Sequence, residues 1–218
     1  MGYGAIARAV AEKEGRAILI LNDNQIAELC LNGTPGMISP YVPSQVRQTW
    51  ISPMEPMPRI SYGQSSYGYD VMLAPEQFKI FSPVGAREID PKRFDANCLI
   101  DARLYQAGTE GYFLLPPLSY GLGVTVETFA LPRNIAGVCM GKSTYARSGL
   151  IVNTTPLEPG WCGRLVLEFS NTAPLPIRLY VNEGIGQVLF FQGNACEVSY
   201  ADRAGKYQGQ NGLTPARV

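Results

Sequence analysis

Lys142, Ser143, Thr144 and Arg147 place two cations and two hydroxyls within six consecutive residues, inside the segment Gly141-Lys-Ser-Thr-Tyr-Ala-Arg-Ser-Gly149. Lysine and arginine at this spacing can neutralise phosphate, and the hydroxyls add donors beside them. If residues 143–147 form one helical turn, Ser143 and Arg147 stand at i and i+4 and can face one ligand. The start of that turn also offers free N–H groups to an anion. A polar turn carrying a surface arginine is the other reading of the same residues. The triplet Gly141-Lys142-Ser143 is not a phosphate-binding P-loop. That loop needs a glycine five residues before Gly141, where the chain has Ala136, and Gly137 leaves it one residue short.

The second residue that could do chemistry is Glu168, in Leu165-Val-Leu-Glu-Phe169. Strand alternation puts Leu165, Leu167 and Phe169 on one face and Val166 and Glu168 on the other. A carboxylate in an apolar strand is costly unless its face is wet or the group is paired. It is therefore either a solvated outer-face glutamate or a general base in a pocket, its pKa raised by desolvation. The third cluster lies in the last twenty residues, where Tyr200, Lys206 and Gln210 sit among glycine, glutamine and basic residues. By composition this segment has little to bury and reads as a disordered tail; as a functional element it would be an arm that orders over a ligand.

Composition removes several alternatives. The chain has no histidine. Ser-His-Asp and Cys-His catalysis, the His-Glu-x-x-His zinc proteases and the His-x-Glu…Cys-x-x-Cys zinc site of the common nucleobase deaminases are thereby excluded. Cys30, Cys98, Cys139, Cys162 and Cys196 stand singly, and an odd number without a signal peptide predicts free thiols in a reducing compartment. The stretch from Ala5 to Leu21 is broken by Glu12, Lys13, Glu14 and Arg16, so neither a secretory leader nor a membrane span is expected there. Eighteen basic and eighteen acidic residues cancel, which leaves no electrostatic case for nucleic acid or an anionic membrane as partner. A soluble, cytoplasmic protein is expected.

The elements that must position these residues are mostly strands. A length of 218 residues suits one domain able to bury its own core. Abundant glycine (23) and proline (17) beside only 17% charged residues point to turns and short strands. Residues 1–16 are read as a short peripheral helix. Asn22 and Gln25 form the ends of a capping box, Ile26, Leu29 and Cys30 share a helical face, and Asn32-Gly33 ends the helix. Residues 33–60, with Pro35, Pro40, Pro43, Pro53, Pro56 and Pro58, read as an irregular connection. Alternation at Tyr67, Tyr69 and Val71, and at Val124, Val126 and Thr128 in opposite phase to Phe129, predicts strands, as do the runs 163–169, 177–181 and 186–191. Breaks fall at Pro116-Pro117, Leu131-Pro132 and Pro159-Gly160. With no intervening helical pattern, an all-β barrel or sandwich follows.

Six stretches in this order resemble the dCTP deaminases of the trimeric dUTPase superfamily: Ser61-Tyr-Gly-Gln-Ser-Ser-Tyr-Gly-Tyr-Asp70, Gly141-Lys-Ser-Thr-Tyr-Ala-Arg147, Ile151-Val-Asn-Thr-Thr-Pro-Leu-Glu-Pro159, Val166-Leu-Glu168, Gly186-Gln-Val-Leu-Phe-Phe191 and Gly205-Lys-Tyr-Gln-Gly-Gln210. The resemblance spans roughly residues 20–212. It implies a mainly β fold, a distorted dUTPase-like β-barrel or jelly roll with a few short helices, in a single domain over residues 1–218. Residues 1–18 would be an N-terminal extension and 199–218 a C-terminal arm over the active site. The implied reaction is zinc-independent hydrolytic deamination of dCTP to dUTP and ammonia, supplying dUTP and dUMP for thymidylate synthesis. It would occur in a homotrimer with sites between subunits, with Mg²⁺ accompanying the substrate triphosphate and dTTP as a possible inhibitor.

By the same resemblance Glu168 is the catalytic glutamate, and Ser143 and Arg147 position the attacking water and stabilise charge around it. Lys142 and Thr144 match triphosphate contacts and Gln187 a nucleotide contact. Tyr145, Ala146, Val166 and Leu167 belong to the matched substrate-binding stretches, and Tyr200, Lys206 and Gln210 to the closing arm. A branch of the family that also releases pyrophosphate tends to read Ile-Asp-x-Gly before the glutamate strand. Here the turn is Leu157-Glu158-Pro159-Gly160, which favours deamination alone. A bifunctional deaminase and dUTPase giving dUMP, or a non-catalytic nucleotide-binding β-barrel, are the alternatives.

Overall fold

In this computed structural model, which describes residues 19–52, 55–82, 84, 88–153 and 155–218, the helix Asp23–Leu31 begins as its sequence predicts. Gln25 N–H donates to Asn22 Oδ1 at 3.1 Å and Asn22 N–H donates to Gln25 Oε1 at 3.0 Å. Ile26 and Cys30 are buried, and Asn32 caps the far end. The expected helix and extension within residues 1–18 lie outside the described residues, as does Thr154.

The strands are β1 (Leu19–Ile20), β2 (Ile38–Ser39), β3 (Val46–Ser52), β4 (Glu55–Gln64), β5 (Tyr69–Phe81), β6 (Leu99–Asp101), β7 (Leu104–Ala107) and β8 (Glu110–Leu115). They continue with β9 (Tyr120–Ala130), β10 (Ile135–Gly141), β11 (Leu150–Val152), β12 (Thr155–Leu157), β13 (Cys162–Asn171), β14 (Ile177–Tyr180) and β15 (Gly184–Gln192). The expected runs 163–169 and 186–191 fall inside β13 and β15, and 177–181 is β14 with one residue beyond it. Every ladder among the described residues is antiparallel; short turns join consecutive partners such as β3 and β4 or β7 and β8, whereas β13 and β9 or β15 and β5 are neighbours reached through intervening strands.

One large sheet runs β11-β13-β9-β5-β15-β10-β12, with β1, β2, β3, β4 and β6 attached beside this path, and a smaller sheet runs β14-β8-β7. Strand β5 makes the large sheet curl. Its first residues pair with β15, Tyr69 opposite Val188, and its later ones with β9, Phe78 opposite Gly123, with a register shift between Leu73 and Phe78. An irregularity of this kind bends a strand and lets one sheet wrap a core.

The stretch 33–60, expected to be irregular, instead contains β2, β3 and half of β4. Pro56 and Pro58 lie within β4 opposite Trp50 and Gln48 of β3. This part of β4 pairs with β3 alone, and a strand with one open edge can spare the N–H groups of alternate residues. Tyr67, expected to share a strand face with Tyr69 and Val71, is exposed in the turn before β5, whereas the other two are fully buried.

Alternation in β13 divides its side chains as the sequence predicts. Leu165, Leu167 and Phe169 enter the main core with Phe78, Phe113, Phe129 and Phe190. Val166 belongs to a second cluster with Ala74, Cys98, Leu99, Leu122 and Val124 on the other face. Burying each large apolar side chain contributes roughly 1.5–3 kcal/mol. At the end of β13 the buried Asn171 ties three connections together. Its Nδ2 donates to Leu115 O, Pro116 O and Leu175 O at 3.1, 2.8 and 2.9 Å, while its Oδ1 accepts from Ala173 N–H at 2.9 Å.

Asn171→Ala leaves these backbone groups short of a buried partner and should lower stability by about 3 kcal/mol. The check is a fall in the urea midpoint with unchanged slope. A second prediction concerns Glu127 on β9, fully buried, whose two oxygens accept from Met72 N–H at 3.2 and 3.0 Å. Burial pushes this carboxyl up from 4.5 to about 8, against the pull of hydrogen bonds and Arg164. The folded state therefore holds the proton more tightly than the unfolded chain. The resulting stability is full below about 4.5 and is lost as pH climbs to about 8. Glu127→Gln, which cannot ionise, should flatten the stability profile across that window.

Candidate active site

Glu168 projects from the Val166 face of β13 into a cavity of about 470 Å³. One wall is aromatic and aliphatic: Phe81, Phe94, Tyr120, Leu122 and Val166. Tyr120 stacks edge-on against Phe81 at 5.3 Å between ring centres. Opposite stand Thr155 from β12, Glu158 and Trp161 from the turn before β13, and Tyr200, Lys206, Tyr207 and Gln210 from the C-terminal segment. The glutamate is half-buried, and burial pushes its carboxyl above the ordinary range while the Thr155 hydroxyl, donating to Oε2 at 3.1 Å, pulls it back. Its charge is felt by Tyr120 and by Cys139 beneath it on β10, both raised chiefly by burial, the thiol to about 12. A carboxylate of raised proton affinity, facing a cavity large enough for a nucleotide base and sugar, is equipped to take a proton from water and return it.

The C-terminal segment is docked, and it docks by its backbone. Arg164 N–H donates to Gln210 O at 2.8 Å and Gln210 Nε2 donates to Arg164 O at 2.9 Å. Gly209 N–H donates to Cys162 O at 2.8 Å, Tyr200 N–H to Pro159 O at 2.9 Å, and Trp161 Nε1–H to Tyr207 O at 2.9 Å. Two glycines make room for this contact. Gly160, at φ +78°, would bring a Cβ within 2.7 Å of Ser199 Cβ, and Gly163, at φ +147°, within 2.8 Å of Gln210 O. The carboxylate of Glu158 is engaged by the Arg203 guanidinium. Lys206 Nζ donates to Arg217 O at 2.6 Å, so the last residues hold the head of this lysine.

Of the residues singled out by sequence, Glu168, Val166, Tyr200, Lys206 and Gln210 thus share one cavity. Lys142, Ser143, Thr144, Tyr145, Ala146, Arg147 and Gln187 do not line it. Ser143–Ala146 forms the expected helical turn, with Arg147 as its C-cap. Ser143, Thr144, Ala146 and Arg147 are exposed on that turn, which is anchored by the buried Tyr145, whose hydroxyl accepts from Tyr180 N–H at 2.9 Å. Leu167 is fully buried in the main core, so its side chain is turned away from the cavity and only its backbone is on the cavity strand.

The sequence offers Lys142 as a phosphate contact. In the fold it donates to Asp70 Oδ2 at 2.5 Å, and Gln45 Nε2 donates to the same oxygen at 2.9 Å. Asp70 Oδ1 is buried and has no partner among the described residues. Gln187 lies opposite Asp70 in the β15–β5 ladder and reaches Ser65 Oγ at 3.4 Å. The chain therefore carries a second polar surface, built on Lys142, Ser143, Arg147 and Gln187, apart from the Glu168 cavity. Thr155 and Asp70 are the residues that the sequence did not single out. Neither stands out by type: Asp70 meets Lys142 across 72 residues of chain, and Thr155 meets Glu168 only because the turn between β12 and β13 brings the two strands to one cavity. Among the described residues no three His, Cys, Asp or Glu side chains gather as metal ligands, and no helix is long and apolar enough to cross a membrane.

Residues 20–193 match the dCTP deaminase-like family. The dCTP deaminase of Novosphingobium aromaticivorans is 52% identical over 200 residues, covering 91% of this chain and 99% of that protein. That of Halorhodospira halophila is 51% identical over 183 residues, covering 84% and 91%. Among solved structures, the 2'-deoxycytidine 5'-triphosphate deaminase from Agrobacterium tumefaciens is similar with a TM-score of 0.45 at 17% identity, covering 82% of this chain and 49% of that one. The EIAV dUTPase is similar with a TM-score of 0.36 at 21% identity, covering 58% and 92%.

Truncation after Val198 removes the segment that covers Trp161, which is only 5% exposed, whereas Trp50 is 59% exposed already. The truncated chain should keep its fold but show tryptophan emission shifted to the red, since Trp161 gains water and Trp50 does not change. An unshifted spectrum would show that the segment does not dock in solution.

Proposed function

The chain belongs to the dCTP deaminase-like family and catalyses the hydrolytic deamination of dCTP to dUTP and ammonia; from this premise we propose that Glu168 carries the proton traffic of that reaction. In this reading water attacks C4 of cytosine while Glu168 accepts one of its protons. The C4–N3 electron pair moves to N3, and Glu168 returns the proton there. The hydroxyl proton on C4 then passes by way of Glu168 to the amino group, the C4–N4 bond breaks, ammonia leaves, and C4 becomes the carbonyl of uracil. The observation that carries this reading is the half-buried Glu168, raised in proton affinity, at the head of a cavity that also holds Val166, Tyr200, Lys206 and Gln210.

The remaining residues fall into place in a homotrimer. Ser143 and Arg147 would orient the attacking water and balance developing charge, and Lys142, Thr144 and Gln187 would contact the nucleotide, from the surface that a neighbouring subunit presents to the Glu168 cavity. Tyr145 and Ala146 would serve as the frame of that turn, and Val166 and Leu167 as the backbone edge beside the base. Mg²⁺ would accompany the triphosphate; of the cations, the exposed Arg147 suits the phosphate charge left over, whereas Lys142 shares its charge with Asp70 and Lys206 would exchange its bond to Arg217 O for phosphate. The pairing of Glu158 with Arg203 supports a reaction that stops at dUTP, because that carboxylate is occupied by a guanidinium. Inhibition by dTTP would follow from a shared triphosphate and deoxyribose, and a cytoplasmic location suits the free thiols.

Two measurements test this. With dCTP and Mg²⁺ the protein should release ammonia and dUTP without pyrophosphate; dUMP and pyrophosphate would show that the Glu158 turn supports a second hydrolysis. Glu168→Gln and Arg147→Ala should each lose at least about a hundredfold in kcat. Subunits of the two variants, dissociated and reassembled together, should recover activity, because mixed trimers contain intact sites. Failure of mixed subunits to recover any activity would place both residues in one subunit's site.

A further inference from the structure

Thr155 and Glu168 come from different parts of the sheet. Thr155 opens β12, where it stands opposite Cys139 of β10, while Glu168 lies on β13, opposite Leu122 of β9. Both side chains line the cavity. The backbone around the glutamate is fixed as well, since Asn153 N–H donates to Glu168 O at 3.0 Å. Asn153 also donates through Nδ2 to the hydroxyl of Tyr120 at 2.9 Å, tying the segment before β12 to the cavity wall. Within this frame the Thr155 hydroxyl donates to Oε2 of Glu168 at 3.1 Å, and no other side chain among the described residues hydrogen-bonds the carboxylate, whose remaining contact is with the glutamate's own backbone N–H.

We propose that Thr155 is a positioning residue for the deamination, its hydroxyl holding Oε2 so that Oε1 alone is presented to the attacking water. This rests on the reading of Glu168 as the proton carrier. A carboxylate on a two-bond stem can rotate about its terminal torsion, which is broad in glutamate. Threonine is a suitable clamp because β-branching restricts its first torsion, so the hydroxyl is already aimed. The bond also favours the charged form, opposing desolvation. A base that must hold a proton during one step and yield it in the next is served by both effects. Oε1 takes the proton of the water whose oxygen bonds to C4 and delivers it to N3, while Oε2 stays bonded throughout.

The other titratable groups around the carboxylate are Tyr120 from β9, Cys139 from β10, and Glu158, Tyr200, Lys206 and Tyr207 across the cavity. Tyr120 and Cys139 are pushed upward by burial and stay neutral where Glu168 ionises, and Glu158 is paired with Arg203. A difference in the acidic limb between enzymes that differ only in the Thr155 hydroxyl is therefore assigned to Glu168, the group that hydroxyl bonds.

The test is the pH dependence of dCTP deamination in Thr155→Val, Thr155→Ser and Glu168→Gln, with KM and nucleotide binding measured alongside. Thr155→Val keeps the shape and removes the hydroxyl. Its kcat should fall roughly 10- to 100-fold, its KM should change by less than about threefold, and its acidic limb should move to higher pH, since a bond to the charged form is lost. Thr155→Ser should recover most of kcat and return the limb to its original position. A Thr155→Val enzyme whose limb does not move, or a serine variant as slow as the valine one, overturns the proposal. If Thr155→Val does not fold, the same contrast is read between Thr155→Ala and Thr155→Ser. Glu168→Gln separates the two levels. If it remains fully active, the reading of Glu168 itself fails; if it is inactive while Thr155→Val matches the parent enzyme, only the clamp fails.

Discussion

A β-strand has two faces, and nearly everything distinctive about this protein depends on β13 using both. One face gives Leu165, Leu167 and Phe169 to the main core, which fixes the strand in place to within the tolerance of close packing. The other face is thereby committed to carrying Val166 and Glu168 outward. Register and function are locked together: a slip of one residue would bury the carboxylate and expose three large apolar side chains. The pairing of β13 with both β9 and β11 and the four bonds of Asn171 at its end act against that slip.

The surroundings of Glu168 illustrate how a fold keeps a carboxylate both reactive and tolerable. Deep burial of a lone charge would cost several kcal/mol or force it to stay protonated, as happens to Glu127 elsewhere on the same sheet. Glu168 is held midway. Apolar and aromatic walls raise its affinity for a proton, one hydroxyl offsets part of that, and the cavity leaves the remaining oxygen accessible. The buried Asp70 solves the same problem differently, with the Lys142 ammonium and the Gln45 amide on one oxygen.

Much of this could be read from the sequence where a period or a cap was involved. The Asn22–Gln25 capping box, the two faces of the 165–169 run and the helical turn at 143–147 all follow from local rules, and each is present. What could not be read had no local signature. The prolines of residues 33–60 suggest irregularity until the partner β3 shows that one edge of the ribbon is open. The composition of residues 199–218 offers no apolar face because the segment binds through its backbone and through gaps left by Gly160 and Gly163. Thr155 and Asp70 are ordinary residues whose importance comes only from what lies across from them. The division of the candidate residues between a cavity and a separate surface is likewise a property of three dimensions, since nothing in the spacing of Lys142 to Arg147 from Glu168 shows whether one pocket holds them.

The docked C-terminal segment makes the pocket separable from the barrel. Its hydrogen-bonding partners Pro159 and Trp161 lie in the turn before β13 and Cys162 and Arg164 at its start, and every named strand of both sheets precedes it in the chain. The main core and the glutamate are assembled by strands that end at Gln192, so the barrel can be complete while its pocket still lacks one wall. Docking of residues 199–218, rather than closure of the barrel, completes the cavity, so undocking would open the glutamate to bulk water and leave the sheet intact.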